Sequence, residues 1–157
     1  MKLNIGIPDL KIKATTDLLN VVLSSEMSLY IKTRKAHWNV SGDSFMELHK
    51  LFEAQYKQLE ESIDEIAERI GKLGHKTIGT MTEFSKLSLI KEHPAKYHSS
   101  KDTIKEIVAD YETIIIHLRK NIEGTNSKNI DAVTTDFIIG LMSAHETAVW
   151  ILRRYLN

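Results

Sequence analysis

Apolar residues recur three or four apart through four long stretches of the chain, a spacing that predicts four long amphipathic helices. The second stretch is the clearest: Phe45, Leu48, Phe52, Tyr56, Leu59, Ile63, Ile66, Ile70 and Leu73 form one stripe of a helix over 44–73. Asp43 or Ser44 would open it with Glu47 as capping partner, and Gly71 to Gly74 would close it. Ahead of it, Pro8 and Asp9 mark the start of a helix over 10–38 that contains no Gly or Pro. Leu18, Leu19, Val22, Glu26, Leu29, Tyr30 and Thr33 trace its inward side, with His37 in the same arc. A third helix over 100–123 carries Ile104, Ile107, Val108, Tyr111, Ile115, Leu118 and Ile122 and stops at Gly124. The fourth, over 129–156, carries Ile130, Val133, Phe137, Leu141, Ala144, Ala148, Ile151 and Tyr155, with Gly140 inside it as room for a close neighbour. Between Gly74 and Ser99 the pattern lapses into a connection with a short helix over 82–90, for which Thr80 and Glu83 offer a capping box.

Only the break at Asn39 to Gly42 separates the first two helices, so they are antiparallel neighbours, whereas the 74–99 stretch can return the chain to the opposite end. Two helical hairpins joined by one long crossover make an all-α, ferritin-like four-helix bundle. The 157 residues, 42% apolar and 27% charged, fit one domain over 1–157 with a sizeable core. With no apolar run of about 18 residues and no signal-peptide pattern at Met1 to Leu10, the expected location is cytoplasmic, with no membrane partner. Formal net charge is zero, from 21 basic and 21 acidic residues, and only Lys2, Lys11 and Lys13 enrich the N-terminus. That balance lacks the electrostatic footprint of a nucleic-acid binder.

Zero cysteines leave His and carboxylates as the strong metal ligands, a set suited to Fe, Mn or Zn. On the helical wheel, with Phe52 at zero, His49 falls near 60°, Glu53 near 100°, Asp64 near 120° and Glu68 near 160°, all down one flank of the apolar stripe. His49 with Glu53 and Asp64 with Glu68 are i, i+4 pairs, so each pair can converge on a point. The pairs are fifteen residues apart, roughly 22 Å along the axis, too far to share an ion through bonds of about 2 Å. An antiparallel second copy about a two-fold axis near Gln58 would set His49 and Glu53 of one chain against Asp64 and Glu68 of the other. The bland alternative is a solvated acidic flank paired with Lys50, Lys57 and Arg69.

None of the seven histidines has Glu three residues before it, so the Glu-x-x-His pairs of an intrachain di-iron centre are absent. His75, His93, His98, His117 and His145 read as ordinary core or surface residues.

Lys35 to Val40, then Gly42, Phe45, Leu48, His49 and Phe52, and finally Asp64 to Arg69 together resemble the signature of the Dps family, the miniferritins named for DNA protection during starvation. The similarity runs through the whole chain and includes Trp150 in the last helix. It implies a hollow homododecamer that oxidises Fe(II), preferably with hydrogen peroxide, and stores ferric mineral. The resemblance makes His37, His49 and Glu53 ligands from one subunit, completed by Asp64 and Glu68 of its two-fold mate. Many family members have Asp where this chain has Glu53, which adds a methylene of reach and changes the geometry open to a second iron. Trp38 is placed near the iron, where an indole could intercept one-electron leakage or simply pack. Acidic three-fold pores match best to Asp131 and Asp136, with Glu123 in reserve; helix N-terminal acids favoured by the macrodipole are the alternative.

Two other readings belong to different classes. One is a DNA-compacting protein with iron chemistry secondary, against which the near absence of a basic tail counts. The other is a carboxylate-bridged oxygenase on the same bundle without a shell.

Overall fold

Pro8, in an extended conformation, precedes the first helix, α1 (Asp9–Asn39), in a computed structural model that describes residues 3–156, the side chains of residues 125 and 126 excepted. Val40 returns to extended backbone and Gly42 takes a φ of +98°, which an L side chain rarely adopts, so the chain reverses there. The second helix, α2 (Phe45–Lys72), packs back along α1. Ser44 makes no side-chain cap at its start, so the box expected with Glu47 is not formed. The other end is closed as the sequence suggests. Gly74 sits at φ +83°, its amide donates to Gly71 and the His75 amide reaches Ile70, a Schellman closure.

The crossover is strapped to α1. Thr80 and Glu83 form both halves of the expected capping box at the head of α3 (Met81–Leu87), which is shorter than predicted and buries Phe84. Beyond it the Leu89 amide donates to Ser25 Oγ at 3.0 Å, Lys32 Nζ donates to the Lys91 carbonyl at 3.0 Å, and Lys35 Nζ to that of Lys96 at 2.9 Å. Polar side chains of α1 thus satisfy backbone groups of a segment that makes no ladder of its own. Ser99 caps α4 (Ser100–Glu123) by accepting from the Asp102 amide. A 3-10 turn, Thr125–Asn129, replaces the predicted start of the last helix, and α5 (Ala132–Arg153) begins only after Asp131.

The inward stripes meet in one core that includes Leu19, Leu29, Phe52, Leu59, Ile66, Ile107, Leu118, Ile138 and Leu152. The fold is all-α: every regular element among the described residues is helical. Inside this core Glu26 and His145 are fully or almost fully buried, and His145 Nε2 meets Glu26 Oε1 at 2.5 Å. The Tyr111 ring stands edge-on to His145, and burial pushes its hydroxyl pKa far up. The satisfied-core reading of His145 therefore holds. Gly140 is different: among the described residues, its own helical turn aside, nothing lies within 4 Å of a Cβ added there, so the close neighbour expected at that position is not found among them.

Candidate metal centre

His37 lies in the last turn of α1 and His49 in the first turns of α2, and the tight reversal between the helices stacks their rings with centroids 3.8 Å apart. Each imidazole is fixed by the other residue's backbone. His37 Nδ1 lies 2.8 Å from the His49 carbonyl oxygen, and His49 Nδ1 lies 2.9 Å from the His37 carbonyl oxygen. A carbonyl can only accept, so both Nδ1 atoms carry a proton, and a ring in its neutral form has its lone pair on Nε2. This is the outer support that metal-binding histidines use to set tautomer and ring orientation.

Aromatic residues close the surroundings. Tyr56 stands edge-on to His37 at 5.3 Å and Phe45 tilts against His49 at 5.1 Å. Arg34 lies over Tyr56 at 4.6 Å and over Trp38 at 5.5 Å, and donates to Tyr30 Oη at 2.5 Å. Trp38 is held through Arg34 and remains exposed. The sequence reading missed Arg34 and the position of Tyr56. Their signal was the i, i+4 spacing of Tyr30, Arg34 and Trp38 on the His37 side of α1.

Glu53, one turn beyond His49, is half-buried and accepts from Lys57 Nζ at 2.5 Å. That hydrogen bond first, then the ammonium charge and more weakly the two imidazoles, holds its carboxyl below the usual carboxylate range. Asp64 and Glu68 are exposed farther along the same unbroken helix, and Glu68 accepts from Lys72 at 3.1 Å. Arg69, which the bland alternative assigned to this flank, does not serve it. It turns to α5, giving Nη2 to Asp131 at 2.9 Å and Nε to Thr134 Oγ1 at 2.9 Å. Among the described residues, no three His, Asp or Glu side chains of one chain converge within reach of one ion. One chain thus brings His37 and His49 together at the α1–α2 reversal, with Glu53 one turn beyond His49, and leaves Asp64 and Glu68 toward the far end of α2.

The three acids matched to a pore fall in different settings. Asp131 is buried, caps α5 by accepting from the amides of Val133 and Thr134, and pairs with Arg69. It therefore takes the helix-terminus role. Asp136 and Glu123 are exposed, Glu123 with Arg119 Nη1 at 3.0 Å.

Imidazole nitrogens and carboxylates are borderline and hard donors, types that suit iron, and this end of the hairpin offers both without bringing three of them together in one chain. Residues 16–157 match the ferritin-like domain family. The chain is 38% identical over 156 residues to a low temperature-induced protein of Nostoc sp., covering 99% of this chain and 87% of the relative. It is 34% identical to DNA protection during starvation protein 2 of Bacillus anthracis, covering 92% of this chain and 98% of that one. Among solved structures, the Dps protein of Vibrio cholerae O1, described as a member of a broad superfamily of ferritin-like diiron-carboxylate proteins, superposes with a TM-score of 0.90 at 28% identity. That likeness covers 100% of this chain and 98% of the other. A bundle with one long crossover, a histidine pair at its α1–α2 reversal and full-length similarity to starvation-protection proteins together place this chain in the Dps family of the ferritin-like superfamily.

Proposed function

We propose that the protein is an iron-detoxifying and iron-storing miniferritin that oxidises Fe(II) at sites shared by two antiparallel copies of α2. The observation that carries this reading is the reciprocal His37–His49 lock, which leaves two Nε2 lone pairs available at one end of a helix whose remaining acids lie at the other. A two-fold mate turned end for end supplies its own Asp64 and Glu68 to the His37, His49 and Glu53 of the first chain, and the contact makes the site twice. Each Fe(II) gives up one electron. A peroxide molecule receives two of them with two protons and leaves as two waters, so no hydroxyl radical is released. The imidazoles and carboxylates bind and orient the ferrous substrate; the resulting Fe(III) passes to the cavity of a dodecameric shell and is stored there as mineral.

Asp136 and Glu123, exposed near the start of α5 and the end of α4, are the acids that remain for guiding Fe(II) inward. DNA is protected because iron and peroxide are removed, without a requirement for contact. Among the described residues no helix is long and apolar enough to cross a membrane, consistent with work in the cytoplasm. A compacting role on DNA has less support, since the zero net charge offers few phosphate contacts. Retardation of DNA in a gel at physiological salt and neutral pH would favour it.

The deciding experiment uses mixed shells. His49→Ala and Asp64→Ala chains are each assembled alone and then co-assembled, and peroxide-driven Fe(II) oxidation is followed. Each variant alone should be slow, and the mixture should recover part of the rate, because some interfaces pair an intact His49 with an intact Asp64. A mixture no faster than its components, in shells of normal size, removes the shared site.

A further inference from the structure

A cavity of about 310 Å³ opens between the C-terminal turns of α1, the crossover after Ile90 and the first turns of α4. It is separate from the metal centre. Ile31, Ala36, Val40 and Ile107 give it an aliphatic floor, Tyr97 forms part of its rim, and Lys35 reaches in from α1. Pockets of this size, mostly apolar with a few placed polar groups, are where small ligands bind.

Its charges are unequal in availability. Lys32, also in the wall, is engaged by two carboxylates, Glu106 at 2.8 Å and Asp110 at 2.5 Å, and His98 Nε2 meets the second oxygen of Glu106 at 3.1 Å. Lys35 has only neutral partners among the described residues. Its Nζ donates to the carbonyls of Lys96 at 2.9 Å and His93 at 3.4 Å and lies 5.0 Å from the Tyr97 ring centroid. Glu92 and Lys96 add one charge of each sign at the rim. The loop that Lys35 holds also contains Ala95 at φ +57°, the one positive φ outside glycine among the described residues. Backbone in that region is costly for alanine and persists where its surroundings fix it, often beside a ligand.

We infer that this cavity binds a small amphipathic organic acid, with its apolar body on Ile31, Ala36, Val40 and Ile107 and its single carboxylate on Lys35. One half-buried ammonium without a counter-ion matches one negative charge. A phosphate group, with its higher charge, would ask for more donors than Lys35 supplies. The inference does not depend on the iron chemistry.

The test is calorimetric titration of the assembled full-length protein with 4-phenylbutyrate, its uncharged amide and 4-phenylbutylamine. The acid should bind saturably at one per chain, at least tenfold more tightly than the amide. Lys35→Met should weaken the acid at least tenfold and leave the amide unchanged, while Lys35→Arg, which keeps the charge and the loop anchors, should retain binding. Circular dichroism and shell size identify a Lys35→Met chain that has lost its fold, in which case the comparison of acid with amide and amine on the native protein decides. No saturable binding of the acid, equal binding of acid and amide, or tighter binding of the amine overturns the inference.

Discussion

The Glu53 carboxylate accepts a hydrogen bond from Lys57 Nζ one turn along α2, at 2.5 Å. A proposed metal ligand is thus already engaged by an exposed ammonium, and a metal ion must compete with it. Lys57→Met should tighten Zn(II) or Fe(II) binding by about two- to fivefold, the scale of a surface ion pair. Because Lys57 is the first cause of the depressed Glu53 pKa, its removal lets that pKa rise. The gain in affinity should therefore be largest near neutral pH and fade on acidification, where the unpaired carboxylate protonates earlier. Titrations with Zn(II) between neutral and acidic pH measure both effects; unchanged affinity at neutral pH would show that Glu53 is not a ligand.

Asp131 gives a second handle on pH. Burial alone would raise its pKa, but the Thr134 hydroxyl and amide, with Arg69, outweigh burial and hold it below the usual carboxylate value. A depressed folded-state pKa adds stability above the unfolded value, about 4, and that stability is lost as pH falls through the folded value. Asp131→Ala removes both the α5 cap and the partner of Arg69, and should cost about 2–4 kcal/mol at neutral pH in urea unfolding. Its stability should also fall less steeply below pH ~4 than that of the native chain. An equally steep acid limb would assign the acid sensitivity to other carboxylates.

In the core, Glu26 and His145 depend on each other, and Glu26 Oε2 is buried without a hydrogen-bond partner. Breaking a buried pair from one side is expensive because the remaining group keeps its desolvation cost. Glu26→Ala should lose about 3–5 kcal/mol, and Glu26→Leu combined with His145→Leu should recover most of it. Urea titrations of the three proteins check the coupling. A single-variant loss below about 1 kcal/mol, ordinary for a point mutation, would mean that the pair contributes little.

Ala95 offers a substitution in the opposite direction. At φ +57° it occupies backbone that glycine adopts without steric cost, so Ala95→Gly should stabilise the protein by about 0.5–1 kcal/mol after the added freedom of the unfolded chain is subtracted. Thermal unfolding reads the change directly, and a lowered midpoint would contradict the strain argument.

The helices were legible in the sequence because apolar spacing, the Thr80–Glu83 pair and Gly74 are local signals, each complete within a few residues. The opening of α2 at Ser44 was legible too, but the capping contact offered by Ser44 and Glu47 is not made, because Ser44, just after the reversal at Gly42, does not take the extended backbone such a cap uses. What joins distant residues was not legible. The alternative of a salt-bridged flank offered Arg69 to the acids of its own helix, yet α5 presents it with a buried carboxylate 62 residues away. Glu26 and His145 each stood on an inward face, but nothing local pairs positions 119 residues apart. At the candidate metal site, spacing along α2 pointed to His49, Glu53, Asp64 and Glu68, and the family resemblance added His37. The reciprocal donation from each imidazole to the other residue's backbone carbonyl was invisible, since it depends on how closely two helix ends approach.

The unbroken run of α2 from Phe45 to Lys72 acts as a ruler that keeps the two halves of the proposed ligand set apart. On the proposed arrangement a newly made chain is inert toward iron, and the chemistry switches on in pairs as subunits meet. Oxidation then begins only where a container for its product is already being built, which ties the start of mineral formation to assembly rather than to synthesis.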